Sequence, residues 1–134
     1  MQGFSKPTDQ FNFVSTLSES ADGVRRYTVQ HKLSKRSGTL KVVPFSLGEP
    51  ERQMMLRERD IVLELKSVSS VVSLVDNFDD DENTYILIEQ PKGKCIKDFM
   101  AALKFSNLFE EEVKRCILQV MQIVTEIHRN KIFH

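Results

Sequence analysis

At 134 residues, with 40% apolar and 28% charged content, the chain holds the material for one globular domain with its own core. Lysine plus arginine and aspartate plus glutamate each number 19, and no run of like charge stands out apart from the acidic stretch 76–82, so composition argues against nucleic acid and a membrane as partners. Cys95 and Cys116 stand at no metal-ligand spacing and no apolar run is long enough to span a bilayer, so the expected setting is intracellular, in cytoplasm or nucleus, with reduced thiols.

Residues 1–10 are polar and include Gly3 and Pro7, the composition of a disordered leader, with order expected to begin near Phe11. Three runs rich in Val, Phe, Tyr and Leu follow, Phe11–Leu17, Arg26–Leu33 and Thr39–Phe45, separated by the turn-rich strings SESADG and SKRSG. This pattern predicts three consecutive antiparallel strands. Pro50 suits the first turn of a helix, and Met54, Met55, Glu58, Ile61, Val62 and Leu65 recur at helical spacing, with Lys66 placed to complement the helix dipole. One amphipathic helix over Pro50–Leu65 is expected.

Two more strands, Val71–Asp76 and Thr84–Glu89, are joined by the polar connector NFDDDEN, and a short helix is expected over 96–103. Asn107 and Glu110 have the spacing of a capping box. Beyond them Val113, Cys116, Ile117, Val120, Met121, Val124 and Ile127 trace a wide apolar stripe ending at His128. That stripe needs a partner surface, and if exposed it invites oligomerisation.

Several residue clusters read as ordinary structure. Asp76, Asp79, Asp80, Asp81 and Glu82 lack the alternating ligands and central glycine of a calcium loop and read as a solvated hairpin turn. His31, His128 and His134 pair with no cysteine or carboxylate at metal or triad spacing. Cys95 is reactive only if exposed, and Cys116, on the helical stripe, reads as a small core hydrophobe.

The order of elements and the stretch LFEEEVKRCILQVMQIVTEIHRNKIFH resemble a eukaryotic protein kinase domain over roughly Phe11 to His134. Ile127, His128, Asn130, Ile132 and His134 resemble the residues that lead into its catalytic loop. The resemblance implies an α+β fold. A small lobe over 11–90, a five-stranded antiparallel sheet plus one helix, would be followed over 91–134 by a hinge and the first helices of a truncated large lobe. ATP and magnesium are the implied cofactors, and a protein substrate or regulatory protein the implied partner. In the family the histidine matched by His134 is followed by Arg and by the Asp that accepts the substrate proton, with the metal ligands further on. The expectation is therefore that this chain by itself transfers no phosphate.

Residue by residue, Lys41 in TLKVV resembles the strand-three lysine that pairs with ATP phosphates, and Glu58 in LRERDIVL the helix glutamate that holds it. A second register, aligning Val42, Val43 and Pro44 with that strand, leaves no lysine there. Leu17, Ser18, Ser20 and Gly23 fall at the glycine-rich loop, but only Gly23 matches a glycine, and Glu19 and Asp22 would set negative charge beside an anionic ligand. Ile88 falls at the gatekeeper position, with Glu89 and Pro91 bracketing the hinge backbone. Val62, Leu74 and His134 fall where kinases stack a regulatory spine, although apolar residues at such spacing also serve as plain core.

The degenerate loop and the string KVVP are similar to the Tribbles family and its relative serine/threonine kinase 40, which act largely as pseudokinase scaffolds. Two functions stand open, a Ser/Thr kinase-like protein whose parent binds ATP, and a pseudokinase-type interaction module without nucleotide chemistry. A third reading is an α+β binding domain unrelated to kinases.

Overall fold

The computed structural model describes residues 6–21, 23–93, 95–102 and 110–133. They fall into two compact units, one comprising the described residues within 1–66 and 71–90, the other those within 67–70 and 91–134.

The first unit is a five-stranded sheet in the order β1-β2-β3-β5-β4. Its strands are β1 (Phe11–Glu19), β2 (Arg25–His31), β3 (Ser37–Pro44), β4 (Leu74–Asp79) and β5 (Asn83–Glu89). All neighbours pair antiparallel. Alternation along the strands divides the apolar residues between two faces. Leu40, Val42, Tyr85 and Leu87 join Phe11 and Val29 in one core cluster, with Tyr27 and Phe78 packed against it. Val43 and Ile86 join Val24 and Leu47 in the other, where Met55 of helix α1 (Glu49–Glu64) also packs. The expected α+β lobe, sheet plus one helix, is the fold observed.

The boundaries moved for identifiable reasons. Helix α1 begins at Glu49 with Gly48 as its N-cap residue, so Pro50 sits inside the first turn. Lys66 lies past the C-cap Leu65 and leaves the last turn without a basic residue, contrary to the dipole reading. Strand β2 stops at His31 rather than Leu33, because the chain turns there: His31 N–H donates to Arg36 O and Lys35 N–H to His31 O, both at 2.9 Å. Lys35 adopts φ 59 in that turn. Residues 71–73, expected to open the fourth strand, precede it. Within the leader expected over 1–10, Pro7–Gln10 form a short 3-10 turn. Pro7 pre-sets its first position, and the Lys6 N–H donates to Asp9 Oδ2 at 2.7 Å.

The second unit contains α2 (Ile96–Ala102) and α3 (Glu110–Arg129). Asn107 of the expected capping box and Leu103 of the expected short helix lie outside the described residues. Three glutamates open α3, and His128 and Arg129 close it, each matching the helix dipole. The helix ends as Lys131, at φ 60, donates its N–H to His128 O. On its stripe Ile117, Val120 and Met121 are more than half exposed. Cys116 is exposed with them, so it is not the core hydrophobe that its position suggested; its neighbours on the helix are themselves uncovered. Among the described residues, no helix is long and apolar enough to cross a membrane.

Candidate functional site

The site is built on β3 and its neighbours. Because side chains alternate, Leu40 and Val42 enter one core, while Lys41 points to the face that carries α1. Lys41 stands opposite Ile86 on β5, and Thr39 stands opposite Ile88. Lys41 is only 5% exposed, and its Nζ forms an ion pair with Glu58 Oε2. Glu58 keeps about half of its side chain in solvent, so the carboxylate holds the ammonium from the wet side. Of the two registers, the one with Lys41 meets α1; Pro44 instead ends the strand opposite Asn83.

Two features fix the distance from β3 to its surroundings. At Gly38 a Cβ would lie 2.8 Å from Leu87 Cδ1 and 2.9 Å from the Ile88 carbonyl oxygen, so only glycine allows this approach of β3 to β5. On the helix side, Arg52 Nη2 donates to Thr84 Oγ1 at 3.2 Å, and its guanidinium stacks 4.9 Å from the centre of the Phe45 ring. Arg52 therefore ties the first turn of α1 to β5, six residues before Glu58. Nothing in the sequence marks either feature, since each depends on strand register.

Ile88 packs against the core cluster on the α1 side. Thr39 Oγ1 donates to Gln90 Oε1 at 3.2 Å, and the Glu89 N–H donates to Ser73 O at 2.9 Å. Lys41, Glu58, Thr39 and Ile88 thus belong to one face of the first unit. Pro91 belongs to the second unit and is exposed. His134 lies outside the described residues.

The β1–β2 hairpin differs from the expected loop. Strand β1 runs on through Ser18, opposite Arg26, and Glu19, opposite Arg25, so these two residues are strand rather than loop; opposite charge across the pair favours the longer strand. A register shift between Thr16 and Ser18 leaves Leu17 about half exposed. The turn closes tightly, with Ser20 N–H and Oγ both donating to Val24 O, at 2.9 and 3.0 Å, and Gly23 N–H to Ser20 O at 2.9 Å. Gly23 has φ 90, which explains the one glycine retained there. Asp22 lies outside the described residues. Across three strands Ser18, Arg26 and Lys41 stand side by side.

The acidic β4–β5 connector is a hairpin turn, as expected, but one of its carboxylates is organised. Asp80 accepts the Tyr85 hydroxyl at 2.6 Å and the amides of Glu82 and Asn83 at 2.8 Å. Burial pushes the Asp80 carboxyl up, yet these hydrogen bonds and the Lys6 charge outweigh it and hold the group below its usual value. Burial first, and the Asp80 hydrogen bond second, push the Tyr85 phenol up to about 12. Among the described residues no group of His, Cys, Asp or Glu is arranged to hold a metal ion.

Residues 22–134 match the protein kinase domain family. A probable serine/threonine-protein kinase PLK of Dictyostelium discoideum is 28% identical over 109 residues, a match covering 81% of this chain and 11% of that protein. The chain thus spans a small part of that relative's length. The family match begins just before Gly23, so β1 is placed by its pairing with β2 and not by that match. With a five-stranded antiparallel sheet, a lysine–glutamate pair between β3 and α1, and a family match running from the first hairpin to the end of the sequence, the chain belongs to the protein kinase domain family.

Proposed function

We propose that the chain carries the small-lobe half of the nucleotide site of a Ser/Thr protein-kinase-like protein, with Lys41 as the cation that meets ATP phosphates and Glu58 as its positioning residue. The observation that carries this reading is the buried Lys41 ammonium held by Glu58 on the α1 face of the sheet. Phosphoryl transfer depends on positioning and charge neutralisation, so a fixed, nearly dry cation is the contribution a small lobe makes. ATP, when bound, supplies the transferable phosphoryl group. Thr39 and Ile88 flank Lys41 on the same face and suit a flat apolar base. The described residues offer no metal cluster, so magnesium ligands are not assigned to them. A protein serine or threonine is the substrate class, in cytoplasm or nucleus.

A thermal-shift titration with ATP and magnesium tests this, since a ligand bound only by the folded state raises the melting temperature. A shift in the parent protein that Lys41→Ala removes supports the reading. No shift in folded protein sinks it.

A second reading is favoured by the β1–β2 turn. There the Ser20 and Gly23 amides donate within the hairpin, and Glu19 adds negative charge where a phosphate would approach. These features support a pseudokinase-type regulatory module, of the Tribbles-like kind, that contacts protein partners through the exposed α3 stripe. In that case ATP produces no shift, and charged substitutions on the stripe abolish partner binding or self-association.

A further inference from the structure

The fold separates charge that composition averages to zero. At one end of the sheet, where Gly38 stands opposite Glu89, the β2–β3 turn presents Lys32, Lys35 and Arg36, all exposed and in no ion pair among the described residues. At the other end, where Pro44 stands opposite Asn83, the β4–β5 turn presents Asp79, Asp81 and Glu82. Between the basic side chains Leu33 is 89% exposed, the largest value among the exposed large hydrophobics described.

The turn is also braced by hydrogen bonds. Besides its two backbone bonds, Ser34 N–H donates to His31 Nδ1 at 3.1 Å and Gln30 Nε2 to Lys35 O at 3.0 Å. An apolar side chain held outward on such a turn loses little conformational freedom when it is covered.

We propose that this turn is a contact for an anionic phospholipid surface, with Leu33 entering the headgroup region and Lys32, Lys35 and Arg36 resting on the phosphates. Leu33 stands outward between the three exposed basic side chains, so apolar and cationic contacts are offered together at one tip. An apolar tip ringed by cations suits a yielding, anionic surface. The acidic end does not oppose the approach. β3 is 8 residues long, about 26 Å at ~3.3 Å per residue, roughly three Debye lengths at physiological salt. Neutral overall composition, read from the sequence as evidence against a membrane partner, conceals this arrangement. The inference is independent of the nucleotide reading.

The test is co-sedimentation of the full-length protein with vesicles of phosphatidylcholine alone or with added phosphatidylserine. The expected result is binding to the anionic vesicles only, weakened by salt. Lys32→Gln, Lys35→Gln and Arg36→Gln should each lower affinity about fivefold, Leu33→Ser should lower it at every salt concentration, and Asp81→Asn should leave it unchanged. These positions are exposed, so unchanged melting temperatures verify folding. Equal binding to neutral vesicles, or binding indifferent to the four turn substitutions, overturns the proposal. So does turn-dependent binding of polyglutamate or DNA in protein that leaves vesicles unbound, which would assign the turn to an acidic polypeptide or a nucleic acid.

Discussion

Lys41 on β3 and Glu58 on α1, separated by 17 positions, form an ion pair in which the cation is buried and the carboxylate half exposed. Solvent screening limits what the pair adds to stability, so its main effect is to fix where the ammonium points. A buried charge also carries a desolvation cost. We therefore expect Lys41→Met to leave the denaturation midpoint in urea unchanged or raised, while removing any ATP-induced thermal shift. Glu58→Gln, which keeps an acceptor, should cost about 1 kcal/mol and reduce that shift. A Lys41→Met protein that loses several kcal/mol would make the pair a structural one.

At Gly38 the neighbouring strand β5 leaves no room for a Cβ. Ala there places a methyl group against the Ile88 carbonyl oxygen, which belongs to backbone and cannot swing aside. Gly38→Ala should destabilise by ~1–3 kcal/mol, read as a lower urea midpoint with an unchanged slope. A neutral outcome would mean that the strands separate freely at this end.

Much of the element order was legible because the period of apolar residues changes from two to nearly four wherever the chain changes from strand to helix. A Lys41–Glu58 pair was expected through resemblance to one family, and the two side chains do meet. The neighbours that hold them were not. Arg52 meets Thr84 across 32 positions and Thr39 meets Gln90 across 51, and no local pattern encodes such pairs. Leu33 read as the end of a strand because it is apolar, yet Lys35 in the left-handed region turns the chain before it can pair. Cys116 was misread for the opposite reason: helical periodicity shows which residues share a stripe, not whether anything covers it.

The Asp80–Tyr85 hydrogen bond predicts two pH limits. Asp80 titrates lower in the folded chain than in the unfolded one, so its contribution is complete above ~3.9, the unfolded value, and is lost as pH falls from there through the folded value. Tyr85 titrates higher when folded, so its contribution is complete below ~10 and is lost as pH rises towards about 12. Tyr85→Phe should cost ~1–2 kcal/mol at neutral pH and flatten the alkaline loss in melting temperature against pH. Asp80→Asn should flatten the acid loss. An unchanged alkaline limb in Tyr85→Phe would assign that limb to other groups.

Arg52 links the start of α1 to the sheet through Thr84 and the Phe45 ring, while its Nε is buried without a hydrogen-bond partner among the described residues. The planar guanidinium stacks on Phe45 while donating to Thr84, a combination that lysine's point charge does not reproduce, so lysine is a poor substitute. Arg52→Lys should lower stability by about 1 kcal/mol, and because α1 carries Glu58, it should also loosen the Lys41 ammonium. The second effect separates anchoring from simple packing. If Arg52 positions the helix, Arg52→Lys weakens ATP-induced stabilisation beyond what Thr84→Val does, since Thr84→Val keeps the stack on Phe45. Equal losses in the two variants would place the effect in the hydrogen bond alone, and an undiminished ATP response in Arg52→Lys would show that α1 holds Glu58 in place without this contact.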